Sequence, residues 1–347
     1  MICTAVSKIN LQIPMKIIVP MAGMGKRMRP HTLTIPKPLI PIAGKPIVQW
    51  LVEDITKVCK EPVSEIAYVI GNFGEAAEKQ LIEIARMLGA KGTIHYQDEP
   101  HGTAHAILCA KDALKGKVIV AFADTLFRAD FTIDDEKEGV IWVSRIDDPR
   151  MFGVVKIDGA GMITDFVEKP TAFVSDLAII GIYYFKDGAY LQKELQYLID
   201  NDIREKGEYQ LTNALENMKN KGTKFFPGKV EEWLDCGNKD ATVFTNRRVL
   251  EFHSEQNMVA ASVKKDNSLI IPPCFIGENV ELIRSIVGPH VSIGAGSRIE
   301  GSLVSNSILQ SNVKIRNSVI DNSMMGHFAE FSNSPEQLSM SDYSSHS

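Results

Sequence analysis

Residues 17–27, Ile17-Ile18-Val19-Pro20-Met21-Ala22-Gly23-Met24-Gly25-Lys26-Arg27, pass from a short apolar run through two glycines into fixed cations. A second basic element, Pro36-Lys37-Pro38-Leu39, follows, and Gly44-Lys45-Pro46 closes the segment. A short apolar run bounded by glycine reads as a buried strand. Glycines placed after such a strand let backbone N–H groups come close to an anion, because they carry no Cβ and tolerate positive φ. Strand, glycine turn and nearby cations are together how a parallel-sheet protein offers a phosphate its hydrogen bonds and its countercharge. The segment points to a nucleotide as ligand. Two familiar phosphate loops are excluded by single residues. A Walker A loop needs Ser or Thr after its lysine, and Lys26 is followed by Arg27; a dinucleotide fingerprint needs a third glycine where Met28 stands.

From Met15 to about Leu250, strand-like runs alternate with helical patterns. Ile47, Leu51, Ile55 and Val58 recur at helical spacing, and Ile66–Ile70 reads as a strand. Glu75–Leu88 and Thr103–Leu114 read as helices, and Lys117–Ala123 as a fully apolar strand. The alternation predicts βαβ units, hence an α/β fold with a Rossmann-like, mostly parallel sheet and helices on both faces. Ligands of such sheets sit at the carboxyl ends of strands, which places Gly23–Arg27 and Asp124 at one edge.

The pattern changes after about Lys265. Ile276, Val287, Ile293, Ile299, Leu309 and Ile315 recur near every sixth position. Hexapeptide periodicity predicts a short left-handed parallel β-helix of about three coils. Its expected role is capping or oligomerisation rather than acyl transfer. The expected boundaries are 15–250 for the catalytic domain, 251–267 for a linker, 268–326 for the β-helix and 327–347 for a Ser-rich flexible tail. Met15, just before the first strand, is a candidate natural start.

The 347 residues suffice for one large domain and a smaller one. A formal net charge of −5 argues against a broad nucleic-acid surface, so any cationic site is local. No apolar segment reaches membrane-spanning length, and the N-terminus lacks the basic start and long apolar core of a signal peptide. Five scattered cysteines (Cys3, Cys59, Cys109, Cys236, Cys274) without a CxxC pair support neither a disulfide framework nor a zinc site. A cytoplasmic protein is expected.

Asp124 ends an apolar strand in Phe122-Ala123-Asp124-Thr125. A carboxylate there suits Mg²⁺, which takes one or two carboxylates with phosphate oxygens and waters; an aspartate there also serves simply to begin a turn. Asp235, in Trp233-Leu234-Asp235-Cys236-Gly237, offers a second carboxylate for the same ion. Glu168-Lys169-Pro170 closes the strand Met162–Val167, and the proline fixes the exit so that the lysine is aimed. Lys169 suits a phosphate monoester, as does Lys37 between its two prolines, although singly either lysine reads as a surface charge. His101 and His105 have the i, i+4 spacing of a metal pair, but no third ligand accompanies them, and zinc is not expected.

These motifs resemble the sugar-1-phosphate nucleotidyltransferases, or nucleotide-sugar pyrophosphorylases, over about Met15 to Leu250 and on into the hexapeptide region. GMGKRMRPHTLTIPKPLIPIAGKP is similar to their N-terminal signature, and FADTLF, VEKP, IIGIYYF, KGEYQLTNAL and EWLDCGNKDA resemble later blocks in the family's order. The resemblance is nearest to glucose-1-phosphate thymidylyltransferase- and uridylyltransferase-like members. It implies that Gly23, Gly25 and Arg27 cradle the triphosphate of an NTP, with Lys37 near the reacting phosphates. It implies that Gln97 and Gly102, in YQDEPHGTAHA, contact the base. It gives Gly153, Glu168 and Lys169 to the sugar-1-phosphate, and Asp124 and Asp235 to Mg²⁺. Three positions depart from the family: FADT lacks the usual glycine before the metal Asp, IIG replaces NAG or TG, and Asn213 stands where Asp is frequent. The metal site survives these departures, whereas residues lining the sugar pocket, such as Ile180, are less secured.

The implied reaction is in-line attack by a sugar-1-phosphate oxygen on the NTP α-phosphorus with loss of pyrophosphate. Such a reaction needs positioning and charge neutralisation by Arg27, Lys37, Lys169 and Mg²⁺ rather than a general base. A side-chain amide at Gln97 suits a pyrimidine, dTTP or UTP, with glucose-1-phosphate as the default sugar. The expected partners are these substrates and further copies of the chain, without nucleic acid or membrane. The alternatives are mannose-1-phosphate guanylyltransferase-type specificity, a non-catalytic regulatory subunit of the same superfamily, and a bifunctional enzyme whose β-helix transfers acetyl groups.

Overall fold

The computed structural model describes residues 14–129 and 132–334, so residues 1–13 with Cys3, residues 130–131 and the segment 335–347 of the expected tail lie outside it. Contacts divide the chain into two compact units: residues up to Lys26 with Pro36–Leu39 and Ile47–Asp235, and Arg27–Ile35 with Ile40–Pro46 and the chain from Cys236 onward.

In the first unit the apolar runs form β1 (Met15–Pro20), β2 (Val63–Ile70), β3 (Lys91–Tyr96) and β4 (Val118–Ala121). They pair in parallel in the order β3-β2-β1-β4. Helices α1 (Ile47–Val58), α2 (Glu75–Met87) and α3 (Thr103–Cys109) alternate with them along the chain. This is the Rossmann-like half expected from the strand–helix alternation, and its order reverses between β1 and β4. The expected helix Thr103–Leu114 stops at Cys109, where Ala110 N–H bonds the Ile107 carbonyl, and a 3-10 turn, Lys111–Ala113, follows. The tightened i−3 bond ends the α-helical ladder.

Beyond β4 come β5 (Thr125–Arg128), β6 (Gly139–Arg145), β7 (Val154–Ile157), β8 (Ile163–Val167), β9 (Leu177–Phe185), β10 (Phe225–Lys229) and β11 (Glu232–Asp235). β9 runs antiparallel to β4, β6 and β7, β8 pairs antiparallel with β7, and β10 pairs in parallel with β6. Helices α4 (Gly188–Asp200) and α5 (Leu211–Asn220) join α3 in burying one face of this mixed sheet. Leu191, Leu195, Leu198, Leu211, Ala214, Leu215 and Met218 pack there against Ile18, Val118, Val120 and Phe225, all nearly or fully buried. Among the described residues no helix is long and apolar enough to cross a membrane.

The second unit holds α6 (Lys239–Phe252), a hairpin of Pro41–Ile42 with Lys45–Pro46, and three stacks of short parallel strands. One stack runs Lys264–Asp266, Glu281–Ile283, Arg298–Glu300, Lys314–Arg316, Glu330–Ser332; the others start at Leu269–Ile270 and Cys274–Ile276. The register steps by 17 residues from Lys264 to Glu281 and Arg298, then by 16 to Lys314 and Glu330. Among the described residues four turns and the first strand of a fifth are therefore present, where hexapeptide counting gives about three coils. Strands also lie outside the expected 268–326 bounds, at Lys264–Asp266 in the expected linker and Glu330–Ser332 in the expected tail. Their side chains are all exposed, so no inward aliphatic announces them; backbone bonds to the next turn form them. The six aliphatics singled out by spacing are all buried, with Val280, Leu282, Val291, Val304 and Val313 beside them. Left-handed residues repeat at each corner, as in the column Asn267, Arg284, Gly301 and Asn317. Asn tolerates this conformation better than most non-glycine residues. The stack is tied to its own unit through buried Asn246, whose Oδ1 accepts from Ala43 N at 2.9 Å and Ser292 Oγ at 2.6 Å.

Candidate active site

The loops after β1, β2, β3 and β4 open at one edge of the sheet, and the order reversal leaves a crevice between β1 and β4. Gly23 and Gly25 follow β1 there, with Gly25 left-handed at φ 57°. No atom lies within 4 Å of where a Cβ on Gly23 would be, so its backbone is open to a ligand. Asp124 follows β4, the strand beside β1. Lys37 sits on the 3-10 turn Lys37–Leu39, closed by Leu39 N–H on the Pro36 carbonyl at 2.8 Å. Its ammonium lies 2.8 Å from Asp124 Oδ2 with the lysine side chain 10% and the aspartate side chain 42% exposed. The lysine is thus an aimed, mostly buried cation, while the carboxylate keeps access to the crevice.

Asp235 reaches the same place through strand pairing. β11 runs antiparallel to β5, and Asp235 stands opposite Thr125, the neighbour of Asp124. The turn that carries Asp124 is held from the side by an irregularity in β9 at Gly181. There the Gly181 carbonyl accepts from Phe122 N at 2.9 Å, and the Ile180 carbonyl accepts from Thr125 Oγ1 at 2.7 Å. Gly181 has φ 87°, which a side chain would strain. The IIG sequence thus shapes the turn beneath Asp124.

Beyond β3, the Gln97 side-chain nitrogen donates to the Gly102 carbonyl at 3.2 Å and lies 3.1 Å from His105 Nδ1. Gly102 has φ 109°, and a Cβ there would come within 2.5 Å of the Tyr209 carbonyl. The close approach exists because residues 101–104 pair with Tyr209, through Tyr209 N to His101 O at 2.8 Å and Ala104 N to Tyr209 O at 2.9 Å. His101 and His105 meet edge to face at 5.1 Å, and His101 pairs with Glu99. Among the described residues no group of three or more His, Cys, Asp or Glu could hold a metal.

Gly153, Glu168 and Lys169 also converge. β9 pairs with β4 at Ile182 opposite Ala121, and its earlier residues overhang the carboxyl end of β4. Ile179 N on this overhang donates to Gly153 O at 2.8 Å, and Lys169 N donates to Phe152 O at 3.2 Å. Glu168 Oε1 faces Lys169 Nζ at 3.4 Å, while Oε2 accepts from Thr212 Oγ1 at 3.2 Å. Burial, then the Glu168 charge, pushes the Tyr183 hydroxyl well above its ordinary range. Lys206 Nζ donates to the Lys169 carbonyl at 2.8 Å, adding a second cation. Sequence reading missed Thr212 and Lys206 as site residues, although both lie in the KGEYQLTNAL block. Arg27 is exposed on the 3-10 turn Lys26–Met28 and belongs to the second compact unit.

Two strand-end carboxylates, one aimed ammonium and a glycine loop thus lie together at the switch point of the sheet. The chain belongs to the nucleotidyl transferase family, whose model matches residues 16–251. The match bears out the resemblance to sugar-1-phosphate nucleotidyltransferases. The chain is 29% identical over 319 residues to a glucose-1-phosphate thymidylyltransferase of Streptomyces antibioticus, covering 85% of this chain and 87% of that protein. It is 26% identical over 354 residues to a low-salt glycan biosynthesis nucleotidyltransferase of Haloferax volcanii, covering 93% and 96%. A UDP-glucose pyrophosphorylase solved with UDP-glucose superposes with a TM-score of 0.57 at 22% identity, covering 69% of this chain and all of that one, a likeness of fold.

Proposed function

We propose that this enzyme transfers a nucleotidyl group from an NTP, dTTP or UTP, to a sugar-1-phosphate, with glucose-1-phosphate the first candidate. The observation that carries the reading is the pairing of β5 with β11, which brings Asp235 beside the Asp124 turn that Lys37 clamps. A sugar-phosphate oxygen attacks the α-phosphorus; the bond from that phosphorus to the oxygen bridging to the β-phosphate breaks, and pyrophosphate leaves with the bonding electrons. A phosphate monoester dianion is already nucleophilic, so the residues present cations and hydrogen bonds rather than a base. Gly23 and Gly25 offer backbone N–H groups to the triphosphate, and Arg27 supplies charge to it. Lys37 stands by the reacting phosphates. Lys169 takes the sugar phosphate, and Glu168, fixed by Thr212, accepts from sugar hydroxyls.

Asp124 and Asp235 are hard oxygen donors at a half-open position, a set that fits Mg²⁺. Bound there, Mg²⁺ supplies charge neutralisation to the phosphate oxygens. Gln97 has its amide nitrogen turned to the protein, so its Oε1 faces outward as an acceptor for the N3–H of uracil or thymine. The guanine N1–H would meet the same acceptor, so GTP is the competing nucleotide.

Pyrophosphate release across a matrix of NTPs and sugar-1-phosphates, with and without Mg²⁺, tests the reaction. Asp124→Asn and Asp235→Asn are each expected to lower kcat about 100-fold; near-normal turnover in both would sink the metal assignment. Exposed Leu269, Ile286, Leu303 and Val319 form an outward apolar column on one strand stack, which supports self-association. Light scattering of Val319→Glu tests it, and an unchanged mass for an assembled wild type would contradict this surface. The four described cysteines form no disulfide with one another, which supports a reducing, cytoplasmic home.

A further inference from the structure

Gln97 can read a base only if its amide is held one way round. Two contacts hold it. The Gly102 carbonyl also accepts the Ala106 N–H of the first turn of α3 at 3.1 Å, so it is a fixed acceptor, and the Gln97 atom facing it must be the NH₂. The other N–H of the same nitrogen points at His105 Nδ1. A ring nitrogen that receives a hydrogen bond carries a lone pair, which defines the neutral tautomer with its proton on Nε2. Burial first, and the nearby His101 second, hold the His105 pKa below its ordinary value against the opposing charge of Glu99, so the ring stays neutral. With both donors engaged, Gln97 Oε1 has no hydrogen-bond partner among the described residues and remains available to a ligand.

We propose that His105 is a positioning residue for nucleotide specificity: its Nδ1 lone pair locks the Gln97 amide with Oε1 toward the base. A locked acceptor favours bases with an N–H at the ring position it meets, uracil and thymine at N3. Cytosine presents a lone pair there, and the two acceptors repel. Without His105, only the Gly102 carbonyl opposes rotation of the amide, and the rotated form offers cytosine a donor. The inference rests on Gln97 being the base-reading residue.

The experiment measures Kd for UTP and CTP, with Mg²⁺, by calorimetry on the full chain. The UTP preference over CTP is expected to fall about tenfold in His105→Leu and in His105→Phe, the second keeping a ring for packing against His101. His105→Asn, which can place an amide oxygen where Nδ1 was, is expected to keep the preference within about threefold of wild type. A merely structural role would not distinguish Asn from Phe. Gln97→Leu separates the two readings. If it leaves the UTP preference intact, Gln97 does not read the base. If it abolishes the preference while His105→Leu and His105→Phe keep it, the role of His105 is overturned.

Discussion

Lys169 holds φ at 42°, a left-handed conformation that costs a non-glycine residue about 1–2 kcal/mol. Glycine would remove that cost, and under the proposed function the ammonium is what the lysine adds in return. Its carbonyl accepts from Lys206 and its N–H donates to Phe152, which holds the strained turn in place. Lys169→Gly is therefore expected to be folded, yet to raise KM for the sugar-1-phosphate by about tenfold or more, as is expected of Lys169→Ala, with the NTP KM little changed. Unchanged sugar-phosphate kinetics in both would remove Lys169 from the site. As members of the candidate site, Lys37, Asp124, Glu168 and Lys169 are legible in the sequence because each lies just after a strand or between prolines. Thr212, Lys206 and His105 were not. Thr212 reaches Glu168 across 44 residues, and His105 meets Gln97 only because Gly102 bends the intervening loop.

At the scale of elements, a column of serines runs through the strand stack. Ser285 N donates to Ser268 Oγ at 3.0 Å, Ser302 N to Ser285 Oγ at 3.1 Å, and Ser318 N to Ser302 Oγ at 3.1 Å. Each hydroxyl satisfies a backbone N–H of the next turn that the strand ladder leaves over. Ser302→Ala strands the Ser318 N–H and is expected to cost about 1–3 kcal/mol in denaturant unfolding. A neutral result would show that water replaces the hydroxyl. Ile299→Ala, at the fully buried inward position, is expected to cost about 2–5 kcal/mol. The aliphatic period made this module legible. Its turn count was not, because turns of 16 and 17 residues drift against a strict six-residue repeat and the outermost strands bury no side chain. The parallel half of the main sheet was likewise readable, whereas the antiparallel course of β9 depends on pairings that no local pattern encodes.

At the scale of the whole molecule, titration bounds stability from both sides. Burial lowers His31, His105 and His290 from the ordinary value of 6.5. The unfolded chain then takes up protons first, so stability falls as pH drops below about 6.5. Asp135, lowered first by its hydrogen bond from Lys117, and Glu300, lowered first by Arg298, act in the same direction below their ordinary values of 3.8 and 4.5. On the alkaline side burial pushes the Cys59 thiol up from 9.0 to about 12 and Cys274 up to about 11. Their unfolded-state ionisation removes stability as pH rises above 9.0. Melting temperatures are expected to plateau between about pH 6.5 and 9 and to fall on either side, in two stages on the acid side. A flat profile down to pH 4 would contradict this.

The corner column of Asn267, Arg284, Gly301 and Asn317 makes the stack modular in a heritable sense. Excising residues 284–300 would join Ile283 to Gly301, placing a left-handed residue at the vacated corner and leaving every later aliphatic pointing inward. A one-residue deletion inside a strand would turn the aliphatics of that strand out into water, whereas the corners already absorb the difference between turns of 16 and 17 residues. Whole turns are thus the units by which the module can lengthen or shorten in descendants of this sequence while every inward position is kept.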